Sequence, residues 1–265
     1  MAKVTLEIAD GVCLVELNDP PANTYSYEMM QEIDAAVLEA RMDRDVHVIV
    51  FRGAGDKFFC AGANIGMLKE ADPDFKYYFC LHANETLTRL EQTPKLVIAA
   101  LNGHTVGGGL EVALAADIRI AKKDAGKIGL PEVALGVLPG TGGTQRLARL
   151  VGKARAIELM ATGRLMTMTD AHALGIVTEV WGADELQGRG FNDAVMDYAK
   201  QFTPPNTASR AVGRMKRAVQ SGAEAGLLEG LSIERELQQL LFQSDDAREG
   251  IAANLEKRKP TFTGK

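Results

Sequence analysis

Two glutamates, Glu111 and Glu132, stand in apolar company within the stretch from Leu101 to Leu147, the first between Leu110 and Val112, the second between Pro131 and Val133. A carboxylate loses free energy when taken out of water, so each needs a reason to be there. The same stretch carries two glycine-rich turns, Gly107-Gly108-Gly109 and Gly140-Thr141-Gly142-Gly143. Glycine lets the backbone come close to a ligand, and a helix starting at such a turn points unpaired N–H groups and the positive end of its dipole at that ligand. Ala61-Gly62-Ala63 can supply a second N–H. Two donors aimed at one carbonyl oxygen stabilise a developing enolate, each contributing about 3 kcal/mol in the transition state. Either glutamate alone reads as a structural carboxylate. Both together with both turns point to proton transfer, or to addition of water beside a carbonyl.

Other chemistries fit less well. Paired carboxylates serve glycosidases, but Trp181 is the single tryptophan and lies far from the pair in sequence. There is no G-x-S-x-G nucleophile elbow. The G-x-G at Gly53 to Gly55 lacks its third glycine, Phe58 standing there, and there is no phosphate-loop lysine pattern. His47, His82, His104 and His172 show no metal-ligand spacing, and Cys13, Cys60 and Cys80 form no C-x-x-C pair. No metal is expected.

The elements that must position these groups can be read from periodicity. Val4 to Ile8 and Val12 to Leu17 form a hairpin about Asp10-Gly11. A helix follows from about Ser26 to Met42, a strand at His47 to Arg52, a small-residue turn over Phe58 to Met67 and a helix from Phe75 to Glu91. Lys95 to Leu101 is a strand, Gly108 to Ala116 a short helix, Ile118 to Ala121 a strand, and Gly126 to Leu130 extended. Beyond Gly142 helices dominate, at Gly143 to Val151, Ala154 to Ala161, Thr169 to Leu174, Leu186 to Phe202, Ala208 to Ser221, Leu227 to Phe242 and Asp245 to Glu256. Repetition of strand, strand, helix implies a layered α/β core of stacked units. Residues 1–200 are expected to form that core with the active site, and 201–265 a helical region packed on its own core or on a partner chain.

At 265 residues, 46% hydrophobic and 25% charged, the chain can bury a substantial core without disulfides. It has no apolar run long enough to span a membrane and no signal-peptide pattern at MAKVTLEIAD, so a soluble cytoplasmic protein is expected. A net charge of −5 argues against general nucleic-acid affinity. Arg210, Arg214, Lys216 and Arg217 on one helix, and Lys257 to Lys259 near the end, read as solvated faces, with a phosphate-bearing ligand the sharper alternative.

FCAGANI, ALNGHTVGGGLEVALAADIRIA, LPEVALGVLPGTGGTQRL and the ending REGIAANLEKRKPTF resemble the crotonase (enoyl-CoA hydratase/isomerase) superfamily over essentially the whole chain. The resemblance implies a crotonase-like spiral of ββα units with a helical C-terminal region, assembled as homotrimers or as hexamers made from two trimers. It implies hydration of a trans-2-enoyl-CoA to a 3-hydroxyacyl-CoA, with Glu111 and Glu132 catalytic, oxyanion-hole N–H groups on Ala63 and Gly108, and a water-positioning N–H on Gly140. Coenzyme A, part of the substrate and the only cofactor-like group implied, would meet Lys57, Ala61, Ile65 and, from a neighbouring subunit, Lys257. Asn64 and Gly66 depart from the Asp and Lys of many hydratases. Phe75, Tyr77, Tyr78 and Phe79 either shape the acyl pocket or pack their helix. The alternatives are an enoyl-CoA isomerase, another crotonase-type lyase or hydrolase, and a non-catalytic acyl-CoA- or RNA-binding relative.

Overall fold

A computed structural model describes residues 2–265. The chain enters through the expected hairpin, β1 (Val4–Ala9) pairing antiparallel with β2 (Val12–Leu17) while Asp10 and Gly11 take the positive φ that the turn needs. Helix α1 (Tyr27–Met42) begins at Ser26, whose hydroxyl accepts the Met29 N–H, and buries Met29, Met30, Ile33 and Val37. Then come β3 (Val48–Gly53), β4 (Phe58–Cys60), α2 (Ile65–Glu70), and α3 (Pro73–Gln92), the last capped by Asp72 with proline in its first turn. The small-residue turn expected over Phe58 to Met67 is therefore a short strand and the start of a helix. Asn64 is the cap of that helix, its side chain accepting from the Met67 N–H.

The next units are β5 (Leu96–Leu101), β6 (His104–Val106) and α4 (Gly108–Leu114), followed by β7 (Ile118–Lys122), β8 (Ile128–Gly129) and a 3-10 turn, Glu132–Leu135. Each circuit of the chain lays one strand in a large sheet, one in a small sheet, and then a helix. The large sheet has the order β1-β2-β3-β5-β7-β9, where β9 is Glu179–Trp181, and is parallel from β2 onward; the small sheet is β4-β6-β8, all parallel. Asn102 ties adjacent circuits, accepting the Gly53 N–H and donating to the carbonyls of Gly53 and Gly55. Because β3 and β5 are covered on both sides, they read as unbroken apolar runs, VIVF and LVIAAL.

One face of the large sheet packs on α1, α3 and α4 through residues such as Val15, Ile49, Phe51, Leu87 and Leu110. The other face meets Phe191, Ala194, Val195 and Ala199. After α5 (Gly143–Val151), α6 (Lys153–Thr162) and α7 (Met168–Ala173) come α8 (Ala183–Leu186) and α9 (Phe191–Lys200). The helix expected over Leu186 to Phe202 is shorter, running from Phe191 to Lys200, because Leu186 ends α8 and Gln187 and Gly188 after it both take positive φ. The C-terminal helices are α10 (Ser209–Ala223), α11 (Leu227–Phe242) and α12 (Asp245–Glu256). Helix α11 packs back on α10, Gly222 and Gly230 allowing close approach, yet buries none of its side chains; Leu227, Leu228 and Phe242 are all exposed.

The basic stripe on α10 needs correction. Lys216 is not solvated: it is buried, pairs with Asp117 at 2.9 Å and reaches the Lys95 carbonyl. The Lys216 charge is thus committed to Asp117 and is not free for a phosphate-bearing ligand. In the other basic group, Arg258 binds Glu249 and Glu256.

Candidate active site

The two glutamates face one cavity of about 280 Å³ at the ends of the small-sheet strands, lined by the segments that follow β4, β6 and β8. Glu111 comes from the first turn of α4 and is almost wholly buried. The second glycine turn wraps its carboxylate: Oε1 accepts the N–H of Thr141 at 2.8 Å and of Gly143 at 2.7 Å, and Oε2 accepts the Thr141 hydroxyl. Three donors on one carboxylate fix its orientation. Gly143 cannot carry a side chain here, because a Cβ would stand 3.0 Å from Glu111 Oε1 and 2.8 Å from Pro139.

Glu132 is held differently. It opens the 3-10 turn, and its Oε2 is buried without a hydrogen-bond partner. Burial pushes its carboxyl up to about 7; its own backbone N–H opposes this, the Glu111 charge adds to it, and the Lys76 ammonium opposes it. An acid poised near neutrality, beside a carboxylate with a full set of donors, is an arrangement chemically able to serve as proton donor and base. Gly107, with φ of 57°, brings the backbone to Glu132, a Cβ there falling 3.1 Å from Oε1.

Ala63 and Gly108 both line this cavity. Gly108 occupies the first position of α4, so its N–H has no acceptor within the helix. A parallel bridge joins Tyr25 to Ala63 through the Gly62 carbonyl and the Asn64 N–H, and makes no use of the Ala63 N–H. Gly62, with φ of 89°, lies against the Gly108 nitrogen, where a Cβ would stand 2.9 Å away, and so holds the two donor segments side by side. Two free N–H groups and two carboxyl groups on the lining of one cavity form an arrangement suited to polarising a carbonyl and moving protons at its neighbouring carbons.

The chain matches the Enoyl-CoA hydratase/isomerase family over residues 7–265. It belongs to that family. The structure superposes on an enoyl-CoA hydratase from Geobacillus kaustophilus with a TM-score of 0.95 at 44% identity, covering 100% of this chain and 98% of the other. An enoyl-CoA hydratase from Bacillus anthracis gives 0.88 at 32% identity, covering 99% and 100%. In sequence the chain is 36% identical to the short-chain-enoyl-CoA hydratase of Clostridium acetobutylicum, over 97% of this chain and 95% of that protein. It is 35% identical to an enoyl-CoA isomerase/hydratase of Mycosarcoma maydis, over 96% and 93%. The two-sheet winding is thus the crotonase fold.

Within this member of the family, Gly140, Ala61 and Ile65 line the cavity with the two glutamates, Ala63 and Gly108. Lys57 and Lys257 do not: both are exposed and outside its lining, Lys57 lying over the Phe58 ring and Lys257 ending α12. The aromatic run of α3 also falls elsewhere. Phe79 is buried in the core, Tyr77 and Tyr78 are exposed, and none lines the cavity; Leu68 of α2 and Lys76 of α3 line it instead. Lys76 extends over the Phe79 ring at 5.3 Å from its centroid. Its role was hidden in the sequence because nothing in the spacing DFKYYF separates a solvated lysine from one turned to a pocket. Tyr25 and Thr141 were likewise unmarked, their hydroxyls meeting across 116 positions of sequence. Among the described residues no cluster of three or more His, Cys, Asp or Glu could hold a metal ion, and no helix is long and apolar enough to cross a membrane.

Proposed function

We propose that this protein adds water across the double bond of trans-2-enoyl-CoA thioesters to give 3-hydroxyacyl-CoA. The observation that carries the proposal is the contrast between the two carboxyl groups in one cavity: Glu111 is held by three donors, whereas Glu132 has a buried oxygen without a partner and a carboxyl pushed up to about 7 by burial. In this reading the thioester oxygen accepts the N–H groups of Ala63 and Gly108. Glu111, aided by the Gly140 N–H, orients a water and takes its proton as oxygen attacks C3. Glu132 delivers its proton to C2 as the enolate collapses. Reaction in the reverse direction dehydrates, with the roles exchanged.

The cavity lining supports a small apolar acyl group, since Ile65, Leu68, Leu135, Val137 and Leu138 surround it. The four-carbon substrate is therefore the first to be tried. The coenzyme would extend past Ala61 and Ile65 toward Lys57, with Lys257 arriving from a neighbouring subunit, since the chain's own Lys257 is outside the cavity. Exposed Leu227, Leu228 and Phe242 on α11 support burial of that helix in a trimer, or in a hexamer of two trimers, by residues 201–265. Sedimentation showing a monomer would remove that part of the proposal.

The test is an ultraviolet assay of enoyl-thioester loss over short, medium, branched and cyclic 2-enoyl-CoAs. Loss of absorbance with formation of the 3-hydroxy product is the expected result. Binding without loss, together with conversion of a 3-enoyl-CoA to a 2-enoyl-CoA without net uptake of water, would replace hydration by isomerisation.

A further inference from the structure

Tyr25 is a large polar side chain that neither glutamate explains. It is 2% exposed, and its ring packs on Phe79. Its backbone makes the bridge to Ala63, accepting from Asn64 and donating to Gly62. Its hydroxyl lies 3.1 Å from the Thr141 hydroxyl. With Glu111 as the carboxylate, Thr141 donates to Oε2, so its oxygen is left to accept, and Tyr25 is the donor. The same phenol lies against Gly108: a Cβ on that residue would stand 2.0 Å from the Tyr25 oxygen. One residue therefore touches, through its side chain, the turn that carries one free N–H and the hydroxyl that holds Glu111, and, through its backbone, the segment that carries the other N–H.

We propose that Tyr25 is a positioning residue for Glu111, acting through a Tyr25–Thr141–Glu111 hydrogen-bond chain that fixes the rotamer of the Thr141 hydroxyl and so the direction of the free carboxylate lone pairs. A hydrogen bond received by the Thr141 oxygen also strengthens the bond that hydroxyl donates, because successive hydrogen bonds polarise one another. Burial and the Glu111 charge hold the phenol well above its ordinary range, so it remains a donor throughout the working pH range. No covalent step passes through Tyr25, and the aromatic ring without its hydroxyl preserves the packing. The kinetic part of the inference rests on the hydration proposed above.

The test is a double-mutant cycle of Tyr25→Phe and Thr141→Val in the full-length protein, with an infrared measurement of the Glu111 carboxylate, its band assigned as the one lost in Glu111→Gln. For a single hydrogen bond in an ordered network, Tyr25→Phe is expected to lower kcat about tenfold, with KM within about twofold. Thr141→Val is expected to cost at least as much, and the double variant no more than Thr141→Val alone, since the tyrosine acts only through that hydroxyl. The carboxylate band should shift in Tyr25→Phe. A merely structural tyrosine would lower the melting temperature and leave kcat and the band in place, which overturns the proposal. Multiplicative losses in the double variant overturn it too, because they separate Tyr25 from Thr141. Should the wild-type protein hydrate no enoyl-CoA, the proposed function falls by itself, while the infrared band still decides whether Tyr25 reaches Glu111.

Discussion

Replacing Glu132 by glutamine should slow the reaction and stabilise the protein at once. Glutamine has nearly the same shape but no proton to give, and positioned acid catalysts contribute about 10²–10⁴-fold to rate, so kcat should fall by that range with acyl-CoA affinity largely retained. In the wild-type enzyme the hydration rate should decline as pH rises through about 7, where Glu132 loses its proton; that limb should be absent from the residual activity of Glu132→Gln. Stability carries the complementary sign. The folded protein holds the Glu132 proton more tightly than the unfolded chain, whose ordinary value is 4.5. Its stabilising contribution is therefore full below 4.5 and is lost as pH rises through about 7. At about 1.4 kcal/mol per tenfold the shift corresponds to about 3 kcal/mol, and partial solvent access reduces this to about 2 kcal/mol. Glu132→Gln lacks that burden, so scanning calorimetry at about pH 5.5 and about pH 8.5 should show the variant gaining a few degrees over wild type chiefly at the higher pH. Equal melting temperatures at both pH values, or an alkaline limb that persists in the variant, would refute the assignment of Glu132 as the buried acid.

Two further substitutions test the remainder of the arrangement. Glu111→Gln removes the anion that three donors hold, and turnover should drop by about 10²–10⁴-fold with binding preserved, which steady-state kinetics and calorimetric titration of an acyl-CoA would together show. Lys76→Met removes the cation that lowers the Glu132 acid, so the alkaline limb of kcat/KM should move to higher pH; a limb that stays or moves down would exclude Lys76 from the electrostatics of the site.

The glutamate pair was legible in the sequence because each member breaks an apolar pattern beside a glycine turn, and such a break is a local signal. The same holds for most elements: Ser26 and Asp72 announce helices by capping chemistry, and β3 and β5 by uninterrupted apolar runs. Legibility ended where position depends on distant partners. Strands β6 and β9 have three residues each and exist because a parallel neighbour supplies their hydrogen bonds. Lys216 sits on a helix with three arginines, and its burial is decided by Asp117, nearly a hundred positions earlier. Gln187 in the left-handed region gave no warning that the pattern from Leu186 to Phe202 would break, since only the neighbouring Gly188 favours a turn.

The two carboxyl groups differ for a reason built into chain order. Glu111 lies within a helix whose neighbour in space is the later turn Gly140–Gly143, so the backbone that encloses it also supplies its donors. Glu132 leads a 3-10 turn whose following residues, from Val133 to Leu138, are exposed. That turn brings apolar side chains but no donor to its buried oxygen, and the result is an acid near neutrality. A donor placed beside Glu132 Oε2 would favour its charged form and remove the proton that the proposed reaction must deliver. The unpartnered oxygen is thus the feature that separates acid from base in this cavity, and the partial desolvation it entails is the local loss of stability that Glu132→Gln should recover.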